Sequence, residues 1–598
     1  MERKGLIGIE TKSKRVFFLI VCEWLPIVLI LAATIFYPAS IWIIFPFLTR
    51  SIYGGIMKVY LSRRNLFKDV SEEEKKEKKH YAVMLNGGIL ILIFFSAMPL
   101  LLANIWILLL MSFIVFKWLK EIRLHICLVR GRELKKRHWK LLAGIGIVLY
   151  LFLGATIPYI RQPEISDDFR NSFDTTDFFG EEKCSDRVAI IEDNGEALAE
   201  RIRMISHARE SIVLSTFDFH SDHSGQQMLA ALKAAAGRGV HVRILVDGFN
   251  SWVRMTGNAY FYSLASDLNV TIKLYNQVNP ILPWRAMSRM HDKYLIVDES
   301  LYLLGGRNIY DYFLGEQKGH KNYDRDVLVY STGDEESSLN QIRDYFENIW
   351  NSSLCKSWNN VSWLSWIPSV RIAKKELSEQ YRDMQKRHAD WFESTNYYDG
   401  TMAANRITLL SNPTGLYSKD PQVFYGLCEL MKQADHEVIW HTPYLICNNW
   451  MYKSLGELSD QIPSVTVMTN SAANNGNPFG AVDYDLHKDE ILRTGITVKE
   501  YEGGVSYHGK SAVVDDRLAI VGSFNIDMKS AYQDTELMLV IDSREVSAQL
   551  KQNLLSYQEQ AVTASDQEEE NAENTLGFAK KLQHFFIGAL NPYLRFLF

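Results

Sequence analysis

Two copies of one short polar pattern contain the residues of this chain that are best suited to chemistry. Each copy places a lysine two residues after a histidine, an aspartate seven residues after it and an asparagine seventeen residues after it. The first copy is His291, Lys293, Asp298 and Asn308, and the second is His508, Lys510, Asp515 and Asn525. Equal spacing at so many positions indicates an internal duplication, and two similar units can share one site.

A pair of histidines can exchange one phosphodiester for another in two steps. One imidazole attacks phosphorus while the second protonates the leaving oxygen, and the second then acts as a base when the acceptor alcohol arrives. The lysines and asparagines of both copies can hold the non-bridging oxygens and stabilise their charge. The pattern therefore predicts phosphodiester chemistry that needs no metal ion and no other cofactor.

The duplicated pattern resembles the two motifs of the phospholipase D superfamily, over about Cys184 to Gln560. Its surroundings narrow the resemblance to bacterial cardiolipin synthases. The segments that carry this are Gly305–Phe313, Thr442–Tyr444, Thr469–Ser471 and Val521–Ser530. The resemblance implies an α/β fold of two duplicated lobes, mixed sheets flanked by helices, around one active site. It also implies transfer of a phosphatidyl group from one phosphatidylglycerol to another through a phosphohistidine, which releases glycerol and forms cardiolipin.

A catalytic imidazole needs a partner that fixes its tautomer. The resemblance implies an acidic residue before an apolar strand-like run, which selects Glu536 in the second lobe. In the first lobe, alignment of the apolar runs selects Asp326, with Asp324 as the alternative. Asp298 and Asp515 belong to the motifs, but we expect them to end strands and to make structural contacts. His220, His223 and His441 lie at the ends of strand-like runs and are candidate substrate contacts, and Tyr444 is a candidate pocket residue.

Apolar segments before residue 160 predict four or five membrane helices. They are Val16–Tyr37, the weaker Ile41–Tyr60, Tyr81–Lys117, which splits near Pro99, and Leu141–Ile160. Basic segments at 1–15, 58–79 and 117–140 should face the cytoplasm. The catalytic region would then lie outside a bacterial cell membrane, and cytoplasmic catalysis is the alternative if the second segment does not cross.

Strand-like and helical segments alternate in both lobes, which predicts α/β layers. Strands are expected at Ser211–Phe217, Val240–Asp247, Glu437–His441 and Val465–Thr469, and an amphipathic helix at Gly225–Ala236. The predicted organisation is a transmembrane region at 1–160, a linker at 161–185, a first lobe at 186–352, a Trp-rich linker at 353–405, a second lobe at 406–560, and an acidic linker with an amphipathic aromatic tail at 561–598. The tail and the Trp-rich linker could each lie on a membrane surface or pack against the catalytic core.

The charge of the chain is divided unevenly. Residues 1–140 carry 23 Lys and Arg against 10 Asp and Glu, and the remainder carries 42 against 60. A catalytic region this acidic is expected to bind nucleic acid poorly, because proteins bind nucleic acid largely by neutralising its phosphates. The predicted partners are therefore anionic phospholipids and the membrane, without nucleic acid.

Three alternative functions stay open. The first is a phospholipase D or another phosphatidyl transferase, with phosphatidylethanolamine as a substrate. The second is an extracytoplasmic nuclease, and the third is a non-enzymatic membrane scaffold. The six cysteines lack zinc-site spacing and are expected to be free thiols, with a Cys184–Cys355 bridge as the alternative.

Overall fold

The computed structural model describes residues 147–148, 150–279, 281–316, 318–333, 336–566 and 578–598, of which 578–583 are described by their backbone alone. Three predicted membrane segments, Val16–Tyr37, Ile41–Tyr60 and Tyr81–Lys117, lie outside these residues. Of the fourth, residues 147–148 and 150–160 are described, and they are helical. Within the described ranges, no helix combines the length and the hydropathy that a bilayer crossing requires.

The sheets described below belong to one compact unit, which comprises Ile147–Arg254 and Ala259–Phe598. It contains the predicted second lobe and, apart from Met255–Asn258, the predicted first lobe.

The first lobe is built on a nine-stranded mixed sheet. In chain order its strands are β1 (Asp186–Ile191), β2 (Ser211–Thr216), β3 (His241–Asp247), β4 (Val270–Tyr275), β5 (Tyr294–Val297), β6 (Leu301–Gly305), β7 (Asn322–Tyr323), β8 (Asp326–Ser331), β9 (Cys355–Ser357) and β10 (Met402–Ala403). All except β7 form one sheet in the order β10-β1-β8-β6-β5-β2-β3-β4-β9. The β2–β3 and β3–β4 pairs are parallel, and the other pairs are antiparallel.

The second lobe is built on an eight-stranded sheet. Its strands are β11 (Arg406–Ser411), β12 (Glu437–His441), β13 (Leu445–Ile446), β14 (Ser464–Asn470), β15 (Thr497–Tyr501), β16 (Ser506–Tyr507), β17 (Ser511–Val514), β18 (Leu518–Gly522), β19 (Ile526–Asp527), β20 (Leu537–Asp542) and β21 (Ala561–Thr563). The sheet order is β11-β20-β18-β17-β12-β14-β15-β21. Short β13 pairs with β19, and β16 pairs with β7 of the first lobe.

The two sheets share one topology. Seven consecutive strands of the first sheet, β1 to β4 in sheet order, correspond to the seven from β11 to β15 in the second, and the parallel pairs fall at the same places. The duplication in the sequence is therefore a duplication of the fold. The prediction of a mixed α/β architecture with two sheets is confirmed.

Helices connect the strands, and many begin at a side chain that caps the first turn. Asp193, Asp222, Ser337, Asn448 and Ser543 each accept a hydrogen bond from a backbone N–H of the helix that follows. After the helical residues that end at 160, the α-helices are Asp167–Ser172, Asn194–His207, His223–Gly237, Gly248–Arg254, Ala259–Ala265, Ser338–Trp350, Pro368–Arg387, Gln422–Met431, Asn449–Gln461, Pro478–Leu492, Met528–Tyr532, Arg544–Gln558 and Phe578–Leu594.

One continuous hydrophobic core joins the two sheets. It contains Leu304, Val327 and Val329 from the first lobe together with Ala519 and Leu539 from the second. Because close-packed side chains resist sliding, this core fixes the relative register of the lobes. The motif strands β5 and β17 belong to the two sheets that it joins.

Parts of the predicted boundaries are wrong. The segment 353–405 does not lie apart from the first lobe, because β9 and β10 form the two edges of its sheet. Trp358 is buried there and stacks on Tyr262 at 5.4 Å between ring centroids, whereas Trp366 is 81% exposed. At the other end, β21 extends the second sheet beyond residue 560.

The C-terminal tail packs against the second lobe along one side and leaves aromatic rings outside. Asn591 is buried and donates to Asp483 at 2.8 Å, and Arg595 donates to the same carboxylate at 2.9 Å. Phe585 and Tyr593 are 70% and 75% exposed. The inner side thus makes the predicted core contacts, while the outer side keeps the composition of a membrane-surface helix.

The cysteines at 184, 355, 428 and 447 are all free thiols. The alternative bridge between Cys184 and Cys355 is therefore not formed. Burial raises the pKa of the Cys355 thiol to about 11, which disfavours the reactive thiolate.

Candidate active site

The local fold of each motif brings its histidine, lysine and asparagine to one end of a hairpin. His291 and Lys293 lie just before β5, and the chain returns along β6, whose last residue Gly305 donates its N–H to the Lys293 carbonyl at 3.2 Å. Asn308 follows three residues later and is buried. The second motif repeats this arrangement, with Gly522 donating to the Lys510 carbonyl at 3.1 Å.

The aspartates of the two motifs lie at the opposite end of the hairpin from the histidines. Asp298 and Asp515 follow β5 and β17, with positive φ angles of 52° and 49°. The Asp298 carboxylate accepts backbone N–H groups from 209–211, and the Asp515 carboxylate accepts those from 435–437. These contacts brace the turn against the neighbouring strand.

Each histidine is oriented by an acid from the other lobe. The His291 Nδ1 lies 2.9 Å from Glu536 Oε1, and the His508 Nδ1 lies 2.6 Å from Asp324 Oδ2. A carboxylate that accepts the Nδ1 proton leaves the Nε2 lone pair free to act as nucleophile or base. The two motifs therefore complete each other and form one site.

Backbone contacts hold these crossed pairs in place. The His291 N–H donates to the Thr535 carbonyl at 3.3 Å, and the His508 N–H donates to the Tyr323 carbonyl at 2.6 Å. The residues before the first histidine form a parallel bridge between Met290 and Thr535, and those before the second form the β16–β7 pair. Each histidine is thus fixed both by its main chain and by its ring.

The selection of Asp326 as a histidine-orienting residue is wrong, and the alternative Asp324 takes that role. The fully buried Asp326 carboxylate accepts from Arg201 at 2.8 Å and from Arg307 at 3.0 Å. It therefore neutralises two buried guanidinium groups in the interior of the first lobe. Asp324 reaches His508, across the lobe boundary.

Strand register explains the error. The sheet pairs Gly305 with Asp326 and the equivalent Gly522 with Met538. Asp326 thus occupies the place of an apolar residue, and the acids that contact the histidines lie two residues earlier on both strands. Aligning the apolar runs of the two lobes therefore places the histidine-orienting acid of the first lobe two residues too late, at Asp326 instead of Asp324.

The residue that follows Gly305 or Gly522 has a size that matches the length of the neighbouring acidic side chain. A Cβ at Gly306 would lie 2.3 Å from the Asp324 carboxylate, so only glycine allows this close approach. The second lobe has Ser523 at this position, and its hydroxyl donates to the longer Glu536 side chain. The Gly-Gly and Gly-Ser variants of the motif therefore match their respective acids.

Two buried lysines supply the positive charge of the site. Each donates to the carbonyl of its own motif histidine. Burial lowers the pKa of Lys293 to about 7 and that of Lys510 to about 8. An anionic phosphodiester would favour the ammonium forms, so substrate binding would charge the lysines. Within the described ranges, no group of three or more His, Cys, Asp or Glu is arranged to hold a metal ion.

The two acids differ in charge although their geometry is alike. Burial raises the pKa of Glu536 to about 8. Burial also acts to raise the pKa of Asp324, but Lys510 and His508 outweigh it and hold that pKa below its usual range. Burial lowers the pKa of both His291 and His508. The duplicated site is therefore not chemically symmetric.

Sequence reasoning missed two buried charged groups beside His291. Asp292 accepts from the Tyr345 hydroxyl at 2.9 Å, and burial raises its pKa to about 7. Lys419 is 7% exposed, and burial lowers its pKa to about 8 although Asp534, Asp292 and Glu536 act to raise it. No hydrogen-bond partner for its ammonium is found in the part of the chain that the structure describes. Asp292 could have been noted from its place between the motif histidine and lysine, whereas Lys419 has no signal in the sequence.

Aromatic rings flank the two imidazoles. Phe217 packs edge-on against His291 at 5.0 Å, and Phe313 packs similarly against His508 at 4.9 Å. Tyr444, a predicted candidate contact, lies 6.3 Å from the His508 ring. These rings limit the access of water to the reacting atoms, which strengthens the electrostatic interactions of the site.

Comparison with known proteins agrees with this geometry. A family model described as "Cardiolipin synthase, PLD-like domain" matches residues 201–350 and 427–557. An uncharacterized protein of Helicobacter pylori is 26% identical over 62% of this chain and 79% of its own length. Cardiolipin synthase C of Escherichia coli is 25% identical over 60% of this chain and 82% of its own length.

A solved structure shares the fold. It is the phosphatidylserine synthase of Haemophilus influenzae, with a TM-score of 0.50 and 15% identity, and the match covers 69% of this chain and 95% of that one. Together the sequence matches and the duplicated fold support the phospholipase D superfamily for the two lobes.

Proposed function

We propose that the protein is a membrane-bound cardiolipin synthase that uses phosphatidylglycerol as both donor and acceptor. The observation that supports this best is the crossed pairing of two motif histidines with Glu536 and Asp324. That arrangement suits an enzyme that forms and then resolves a covalent phosphohistidine. The similarity to cardiolipin synthases of several bacteria supports the choice of lipid.

In the first step, by analogy with the superfamily, the Nε2 of His291 attacks phosphorus of the first phosphatidylglycerol. The bond between phosphorus and the glycerol oxygen breaks, and His508 gives its proton to that oxygen. Lys293, Lys510 and the motif asparagines stabilise the charge on the equatorial oxygens. Glycerol leaves, and the phosphatidyl group remains on His291.

In the second step, a hydroxyl of a second phosphatidylglycerol attacks the phosphohistidine. Its proton passes to His508, the new phosphorus–oxygen bond forms, and the bond to His291 breaks. One phosphodiester has replaced another, so no nucleotide is consumed. Water would compete with the acceptor at this stage, and the rings of Phe217, Phe313 and Tyr444 oppose its entry.

The proposal is tested with the full chain reconstituted in vesicles of phosphatidylglycerol. We expect cardiolipin and glycerol in equal amounts by mass spectrometry, with and without a chelator of divalent metals, because lysines and asparagines supply the charge for the phosphate. Phosphatidic acid as the main product would instead indicate a phospholipase D. Cleavage of oligonucleotides without lipid transfer would indicate a nuclease, and loss of activity in chelator, restored by one metal, would contradict the metal-free site.

We propose further that catalysis takes place outside the bacterial cell membrane. The support is the agreement of the basic segments 1–15, 58–79 and 117–140 on one cytoplasmic side. A reporter that is active only in the cytoplasm, fused after Pro163, should be silent, and the same reporter fused within 58–79 should be active. A strong signal after Pro163 would place catalysis inside the cell.

A further inference from the structure

The two lobes differ at one pair of equivalent residues beside the shared site. After β2 the Thr216 hydroxyl donates to the Asp218 carbonyl at 3.4 Å, and after β12 the Thr442 hydroxyl donates to the Tyr444 carbonyl at 2.9 Å. These matching turns place Asp218 in the first lobe where the second lobe has Tyr444. A carboxylate in one half and a phenol in the other are therefore a further asymmetry of the duplicated site.

Asp218 is directly connected to the phosphate-binding residues. Its backbone N–H donates to Asn308 Oδ1 at 3.3 Å, and the preceding Phe217 packs against His291. The Asp218 carboxylate thus belongs to the segment that orients one of the two motif asparagines. The main chain that carries this carboxylate therefore contacts a residue proposed to bind the phosphate.

One oxygen of the Asp218 carboxylate accepts a hydrogen bond, and the other has no donor among the described residues. Oδ2 accepts from the His220 Nε2 at 2.8 Å. Oδ1 is buried, and no hydrogen-bond donor reaches it from the residues that the structure describes. The Arg254 guanidinium lies 4.0 Å from Oδ1. A buried acceptor without a donor is costly, so the site favours a ligand that supplies one.

Aromatic stacking fixes the ring of His220 and links it to the second motif. His220 lies flat on Tyr310, with 4.1 Å between centroids and 8° between planes. Tyr310 packs edge-on against Phe313, which in turn contacts His508. The Asp218–His220 pair is therefore held rigidly between the two halves of the active site.

We propose that Asp218 and His220 form a hydroxyl-binding subsite that recognises glycerol through a hydroxyl next to the reacting oxygen. This inference rests on the proposed function. In the first step the subsite would hold the departing glycerol, and in the second it would hold the glycerol headgroup of the acceptor. The Arg254 guanidinium offsets part of the carboxylate charge, which favours a neutral hydroxyl over the ammonium of an ethanolamine headgroup.

The test measures how one pool of phosphohistidine is partitioned between competing alcohols. The full chain in phosphatidylglycerol vesicles receives isotopically labelled glycerol and 1-propanol at equal concentration, and the ratio of labelled phosphatidylglycerol to phosphatidylpropanol is measured. Ethanolamine replaces 1-propanol in a second arm. Cardiolipin from the same mixture reports on the lipid headgroup as acceptor, and labelled phosphatidylglycerol reports on free glycerol.

We expect wild-type protein to favour glycerol, and Asp218→Ala to reduce that preference by about 10- to 100-fold, because the lost hydrogen bond involves a charged acceptor. His220→Gln should reduce it in the same direction and provides a second variant should Asp218→Ala fail to fold. Asp516→Ala is the matched control, since this exposed aspartate pairs with Lys551 away from the site. A ratio measured in one mixture does not change if a variant merely lowers the amount of active protein.

The outcomes separate the subsite from the function itself. Phosphatidyl transfer without any preference for glycerol in the wild type would overturn the subsite and leave the cardiolipin synthase proposal standing. An unchanged ratio in folded Asp218→Ala and His220→Gln would do the same. A preference for ethanolamine over glycerol would reverse the expected charge selectivity, and the absence of all transfer would overturn both proposals.

Discussion

Replacement of either His291 or His508 by alanine should reduce cardiolipin formation by roughly 10⁴-fold or more while the protein remains folded. Removal of a nucleophile or of its acid partner has effects of this size, because the remaining groups cannot take over the bond-breaking step. Mass spectrometry of the vesicle lipids gives the rate, and the thermal unfolding midpoint gives the stability. Near-normal cardiolipin formation by either variant would refute the two-histidine mechanism.

A substrate with an activated leaving group distinguishes the two roles. A phosphatidyl ester of p-nitrophenol releases a phenolate that needs no protonation, so the acid variant can still form the phosphohistidine. We expect His508→Ala to release a burst of phenolate equal to the enzyme concentration, and His291→Ala to release none.

The reverse pattern would exchange the roles and keep the mechanism. Burial raises the pKa of Glu536 to about 8, so the pair of Glu536 and His291 can keep a proton at neutral pH. In that case the roles of the two histidines would be exchanged. A pair that retains its proton is suited to the acid, and the ionised Asp324 would then support His508 as the nucleophile.

The second large effect is expected at Asp324. Asp324→Asn should lower the rate by about 10²- to 10⁴-fold, because an amide cannot hold the His508 tautomer as a carboxylate does. The steady-state rate of cardiolipin formation and the thermal unfolding midpoint are measured together. A wild-type rate in folded Asp324→Asn would contradict the cross-lobe pairing.

Asp326→Asn is the matched comparison, two residues further along the chain. It leaves Arg201 and Arg307 without their shared carboxylate, so we expect a loss of about 3–5 kcal/mol of stability. The two substitutions should therefore differ in kind, with activity lost at Asp324 and stability lost at Asp326. A selective loss of activity at Asp326 with unchanged stability would support the orienting role first assigned to it.

The sequence by itself determined the duplication, the two motifs and the α/β class. These features depend on contacts between residues close along the chain. For example, a tight turn at Asp298 lets β6 run back beside β5, so that Gly305 hydrogen-bonds to Lys293. The strand predicted at Glu437–His441 agrees with β12, because apolar runs between polar turns are a local signal. The spacing from His291 to Asn308 likewise corresponds to the length of one β-hairpin.

Only the tertiary structure decided which acid serves which histidine. Glu536 lies 28 residues after His508 in the chain, yet its carboxylate binds His291. That choice depends on how the core between the sheets sets the two lobes against each other, and no local pattern encodes it. Side chains from separate halves of a chain become partners when packing brings them together, and their spacing in the sequence does not record this.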